Sequence, residues 1–276
     1  MKIWHRGHLG PEDEQFLKSN NIKFEPIFSI KEPSRIRKLM FEVSEDNSMW
    51  QQIRDRLHGD ATYIRTEFTR EEVAQAEWSI AWAAQSIGSF VPEEKWWCDM
   101  YYADRCTNCG SGWRQAVPFR IKREPTLGKV VFAGFGSAFE LFCAPVVLEA
   151  FKKHGIIGFG TQPLILNKED RPAANLRQLV VTEVARPAVA EEVVERERYS
   201  QTDCPVCGRT WHAHYTRGAL PLRRSALNQG VDLQLTNEWF GNGRTARREV
   251  LLSRRAVNLA LENNWRGIQF IPVRVV

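Results

Sequence analysis

The chain has 276 residues, of which 43% are hydrophobic and 26% charged, with ten tryptophans and a formal net charge of +5. This is ample for a real core in one large domain or two modest ones. It excludes a membrane-spanning helix, because no run of about 18 apolar residues occurs; Val130 to Leu148 comes closest and is interrupted by Glu140 and Pro145. Met1-Lys-Ile-Trp-His-Arg opens no apolar h-region and is no signal peptide, so the expected location is the cytoplasm. Thiols stay reduced there, and paired cysteines then point to metal rather than to disulfides.

In chain order, Lys2 to His5 reads as a first strand, and Pro11 followed by three residues of acidic character opens a short helix. Ile22 to Ile30 alternates as a strand does; Met49, Trp50, Ile53 and Leu57 have helical spacing, ended by His58-Gly59-Asp60; Tyr63 to Phe68 is a short strand. Thr69-Arg-Glu-Glu72 is a capping box, and the helix it predicts runs through Val73, Trp78, Ile80, Trp82 and Ile87 to Gly88. Trp96-Trp97 and Tyr101-Tyr102 are expected to wall the next motif against water.

That motif is Cys106-Thr-Asn-Cys109-Gly110-Ser-Gly-Trp113, echoed by Cys204-Pro-Val-Cys207-Gly208-Arg-Thr-Trp211. Both read C-x-x-C-G-x-x-W, and all four matched positions differ by 98. A two-residue spacer lets both thiolates of a loop reach one cation, and two loops supply four sulfurs, the donor set of a closed tetrahedral Zn²⁺ site. The alternative is two unconnected thiol pairs. A thioredoxin-like redox motif should open a helix, whereas glycine and polar residues follow both pairs here. His212 and His214, just past the second loop, could replace a cysteine or support one through a hydrogen bond. Cys98 and Cys143 read as buried thiols.

The repeat extends beyond the cysteines. Val117–Ile121 and Lys129–Phe132 are strand candidates, a helix spans Pro145 to His154, Gly155 ends it, and a strand returns through Gly158 to Pro163. Later, a strand at Val250–Leu252, a helix through Ala256 to Leu261 and a return from Gly267 to Pro272 follow the same plan, with Gly158/Gly267 and Pro163/Pro272 both 109 apart. The second copy is therefore 11 residues longer between loop and returning strand. Between the copies, Leu179 to Val184 is β-rich, and Ala188 to Arg198, with four Glu and two Arg, reads as a solvated helix or linker.

No motif argues for catalysis. Gly134-Phe-Gly136-Ser-Ala-Phe139 lacks the third glycine and distal acid of a dinucleotide loop, Gly241-Asn-Gly243 is a turn, and adjacent acids such as Glu71-Glu72 point to different faces. From Cys204 to Val276 there are eleven arginines, no lysine and four acids, a surplus suited to bidentate recognition of carboxylate or phosphate.

On Cys106-x-x-Cys109-Gly, Cys204-x-x-Cys207-Gly and the stretch Glu71-Glu-Val-Ala-Gln-Ala-Glu77-Trp, the chain resembles the double-CxxCG motif family, a paralogous group expanded in myxobacteria. The likeness covers roughly residues 60 to 276. It implies an immunity protein that binds and neutralises a cognate antibacterial toxin in the cytoplasm, with no catalytic residues. Arg209-Thr210 in place of Ser111-Gly112, and the arginine-rich C-terminal half, depart between copies.

The resulting expectation is an α+β fold of internally duplicated zinc-knuckle and strand–helix–strand units with an N-terminal α/β segment. Its parts are residues 1–95, with a Trp-rich helix, 96–175, the first CxxCG unit, and 176–276, the linker and second unit, in one zinc-stapled body. Structural Zn²⁺ is held by Cys106, Cys109, Cys204 and Cys207; the partner is a toxin protein rather than a membrane. The alternatives are a zinc-containing nucleic-acid-binding protein and, third, a zinc-containing enzyme.

Overall fold

The computed structural model describes residues 1–32, 34–57, 63–92, 97–135, 140–189, 201–241 and 246–276. It is mixed α+β, mostly sheet, and divides into one unit of Met1–Thr69 with Tyr215–Leu220 and another of Arg70–His214 with Pro221–Val276.

In the first unit, β1 (Lys2–Leu9), α1 (Glu14–Ser19), β2 (Phe24–Phe28), β3 (Ile36–Ser44), α2 (Trp50–Arg56) and β4 (Tyr63–Glu67) follow one another. The sheet order is β2-β3-β1-β4 with every neighbour antiparallel, a split βαβ arrangement. Its alternation puts Leu9, Leu39, Phe41 and Val43 against Leu17, Ile53 and Leu57 of the helical face. The other face shows Lys2, Trp4, Arg6 and His8. Pro11 sits at the start of a 3-10 turn that leads into α1, as its fixed φ favours. Strand β3 had no sequence forecast: Ile36-Arg-Lys-Leu-Met-Phe-Glu-Val mixes charge into its alternation. The turn forecast at 58–60 lies outside the described residues.

The second unit contains α3 (Arg70–Gln75), β5 (Trp78–Ala83), α4 (Trp97–Tyr101), β6 (Tyr102–Ala103), β7 (Arg114–Gln115), β8 (Arg120–Ile121), β9 (Phe132–Ala133), β10 (Leu141–Cys143), α5 (Pro145–Lys153), β11 (Phe159–Leu166) and β12 (Arg171–Val181). After these come β13 (Gln201–Asp203), β14 (Thr210–His212), β15 (Leu220–Leu222), β16 (Leu233–Leu235), β17 (Trp239–Phe240), β18 (Val250–Ser253), α6 (Arg254–Glu262) and β19 (Ile268–Val275). Two five-stranded sheets dominate it, ordered β8-β11-β12-β10-β9 and β15-β19-β5-β18-β16.

These sheets share a plan. In each, a strand, a helix and a returning strand flank a central antiparallel strand: β10-α5-β11 around β12, and β18-α6-β19 around β5. The central strands enter differently, β12 directly after β11 and β5 far upstream of β18. Registers correspond: Phe142↔Gln178↔Gln162 in one sheet matches Leu251↔Ile80↔Ile271 in the other, with flanking strands offset by 109 and central strands by 98. The loops follow suit. Val131 and Phe132 N–H donate to Arg266 O, while Asp232 and Leu233 N–H donate to Ile157 O. Ala144 N–H donates to Val131 O as Ser253 N–H does to Asp232 O.

Gly158 and Gly267 make these crossings possible. Both have positive φ, 98° and 91°, and a Cβ there would stand 2.2 Å from Leu233 O or 1.9 Å from Phe132 O. Only glycine allows that approach.

One sequence expectation is corrected. The helix forecast from Thr69 to Gly88 ends at Gln75, and Trp78 to Ala83 is strand β5 instead. Hydrogen-bonded on both sides and buried from Trp78 to Ala81, β5 shows no in–out alternation, and such an apolar run cannot be told from a helix by periodicity. Helix α5, forecast from Pro145 to His154, spans Pro145–Lys153, and Pro163 lies within β11 as expected. Residues 190–198 of the expected linker lie outside the described residues.

Candidate metal centre

Each cysteine loop is built the same way. Gly110 N–H donates to Cys106 O and Gly208 N–H to Cys204 O, both at 2.9 Å; Cys106 N–H donates to Ser111 O and Cys204 N–H to Arg209 O, both at 3.0 Å. The turns close through Gly110 and Gly208 at φ 74° and 68°. Short strands hold each loop at its base: β6 with β7, and β13 with β14, where Ala103↔Arg114 corresponds to Gln201↔His212 at the same offset of 98.

The loops bring their sulfurs together. Cys106 Sγ is 3.8 Å from Cys204 Sγ, Cys109 Sγ is 3.6 Å from Cys207 Sγ, and all four lie within 4.8 Å of one another. All are free thiols. A tetrahedron of thiolates at ~2.3 Å from a cation has edges of about 3.8 Å, so the spacing fits such a cation. The four cysteines could hold a metal ion, with each loop contributing half of the ligands.

The surroundings treat Cys109, Cys204 and Cys207 differently. Burial pushes Cys109 up to about 11, against hydrogen bonds from Ser111. The Asn108 side-chain amide, 3.3 Å away, with the backbone N–H groups of Cys207 and Val206, brings Cys204 down to about 6. Cys207 is lowered as well: burial opposes the shift, and the Arg209 N–H and its thiol neighbour prevail. A bound cation would draw all four to the thiolate form. The buried Ser111 hydroxyl lies 2.9 Å from Cys109 Sγ and 3.9 Å from Cys207 Sγ. Asn108 and Ser111 are the site residues that sequence reasoning missed. They occupy variable positions of the motif, where spacing says nothing about side-chain direction.

Neither histidine joins the thiols. His212 is buried on β14 with its ring 5.6 Å from Phe240; burial lowers its pKa against the pull of Glu238 and Asp203. His214 Nδ1 is 3.5 Å from buried Glu249, whose other oxygen accepts from Trp82 Nε1 at 2.6 Å. Tyr101 and Tyr102, expected beside the metal, join an aromatic core with Phe90, Phe119 and Phe142; Trp211 is the ring packed against the thiols. Trp96 lies outside the described residues. Cys98 and Cys143 are buried as expected, and burial pushes Cys143 up to about 12.

Among the described residues, no helix is long and apolar enough to cross a membrane. No family model, no curated protein and no solved structure matches the chain.

Proposed function

We propose that the protein is a non-catalytic binding protein of the double-CxxCG type, which neutralises a cognate antibacterial toxin in the cytoplasm and is stapled by one structural Zn²⁺. The observation that carries the non-catalytic part is the closure of the thiol set. Four sulfurs at tetrahedral spacing, two from each loop, leave no coordination position for a substrate or a water. The toxin partner rests on the resemblance of the cysteine loops. In this reading the two strand–helix–strand sheets and their loops are copies of one ancestral unit. Matched hydrogen bonds and registers at offsets of 98 and 109 support that duplication. The direct test is co-expression with a toxin encoded immediately upstream. Survival of sensitive cells, with stoichiometric co-purification, is expected; death at equal expression rejects neutralisation.

Nucleic-acid binding is the second reading, and one observation favours it. The open face of the β2-β3-β1-β4 sheet shows Trp4 with Lys2 4.5 Å from its ring and Arg65 5.3 Å from it, and Tyr63 is 66% exposed. Glu42 and Glu67 pair with Arg65 on that face, which weakens its attraction for a polyanion. Binding of single strands that weakens linearly in log K with log salt would favour this reading.

A further inference from the structure

The two cysteine loops differ most where the second departs from the first. Ser111 turns inward to the thiols, whereas Arg209, its counterpart at an offset of 98, is exposed and reaches across to the first loop. A Cβ on Gly112 would stand 2.5 Å from the Arg209 guanidinium, so Gly112 makes room for it. The chain also lengthens nearby. Gly134 N–H donates to Gln85 O as Leu235 N–H does to Glu183 O, an offset of 101. By Ala144 and Ser253 the offset is 109, so the later copy gains eight residues between these points. The longer segment carries β17 and Arg248.

Arg248 lies over the Trp239 ring at 5.0 Å, and Trp239 meets Trp113, the neighbour of Gly112, at 5.6 Å. Arg209, Gly112, Trp113, Trp239 and Arg248 thus form a continuous cluster, with Trp239 buried beneath Arg248. Among the described residues neither arginine makes an ion pair, and Arg248 Nε is buried with no acceptor. Burial, and then the charge of Arg209, lower the Arg248 pKa against the pull of Glu238.

We infer that Arg209 and Arg248 form a clamp for a carboxylate presented by a protein partner. Guanidinium forks match a planar carboxylate in bidentate fashion, and a ring beneath one fork fixes its plane. The surroundings favour one carboxylate over a phosphate chain. Asp203 accepts from Thr210 beside Arg209, and Glu238 stands near enough to Arg248 for its charge to be felt. A polyanion would bring repeated charge against those acids. The clamp deepens the toxin-binding reading, and on that reading the carboxylate belongs to the toxin.

The test uses the zinc-loaded full chain and tryptophan fluorescence, since Trp113 and Trp239 line the site. It is titrated separately with an end-blocked glycine-rich peptide bearing a single glutamate, inorganic phosphate and a short single-stranded DNA. The peptide is expected to bind, and Arg209→Ala and Arg248→Ala are each expected to weaken it about tenfold or more. Arg248→Lys should also lose most of the effect, because a point charge replaces the fork. Unchanged peptide affinity in Arg209→Ala overturns the clamp; that exposed side chain can be removed without touching the core, so folding does not cloud the result. Absence of peptide binding, or tighter binding of phosphate or DNA at physiological salt, overturns it as well. A chain that binds the peptide through both arginines yet fails to protect cells would refute neutralisation and leave the clamp standing.

Discussion

The two five-stranded sheets are alike in register and unlike in chemistry. Each has an acid just before the strand that precedes its helix, Glu140 in one and Glu249 in the other, at the common offset of 109. Tyr102 donates to Glu140, while Trp82 donates to Glu249 and His214 and Arg247 stand close by. The loops differ in the same manner: Ser111 faces the thiols and Arg209 faces away. Backbone geometry is thus held in common, and side chains pointing out of it are free to diverge. Core and crossing positions fix the shape; loop positions carry what distinguishes one half from the other.

The largest test of that likeness is the thiol cluster. Structural zinc sites contribute ~10–16 kcal/mol in small peptides. Cys204→Ser is expected to abolish stoichiometric metal and to remove hydrogen-exchange protection from both five-stranded sheets, and Cys106→Ser should match it. Protection lost from one sheet alone would break the comparison. Next is Glu249. Burial opposes its ionisation, yet His214, Arg247 and Trp82 hold its pKa below the ordinary carboxylate value. Its stabilisation is therefore present above the unfolded value and lost as pH falls through the folded one. Glu249→Gln is expected to cost about 3 kcal/mol at neutral pH and to flatten the acid limb in urea titrations at several pH values.

The paired glycines should act smaller and equally. Gly158→Ala and Gly267→Ala are each expected to cost about 2–3 kcal/mol, because both strain a positive φ and press a methyl onto a carbonyl. Gly160→Ala has open space and no positive φ, and should stay within about 0.5 kcal/mol in the same denaturant melts. Least disruptive to folding is Ser111→Ala. It is expected to lower zinc affinity about 10–100-fold in a chelator competition, whereas Arg209→Ala should leave that affinity unchanged.

How much of this was legible in the residues depended on which atoms carried the information. The thiol spacing and the Gly158/Gly267 correspondence are backbone requirements, and a repeated backbone requirement leaves a repeated residue. Helices α5 and α6 were legible because one face of each is apolar. Strand β5 was not: an interior strand loses the alternation that would distinguish it from a helix, and the acidic, alanine-containing run before it carried the helical reading onward. The partnership of β5 with β18 and β19 was equally hidden, since nothing local records which distant strands a buried segment will join. Asn108, Ser111 and the Arg209–Arg248 surface depend on side-chain direction in loops, which no spacing rule supplies.

The position of β5 has a bearing on how the second unit comes apart. Each large sheet is laced through its middle by an antiparallel strand, and the two enter differently: β12 follows β11 within its own sheet, whereas β5 precedes the first cysteine loop, far upstream of β18 and β19. A fragment ending before β12 would expose an unfilled slot between β10 and β11, and one beginning after β5 would leave the same gap between β18 and β19. The β18-α6-β19 segment therefore lacks a central strand of its own, and a fragment without β5 is expected to lose that sheet.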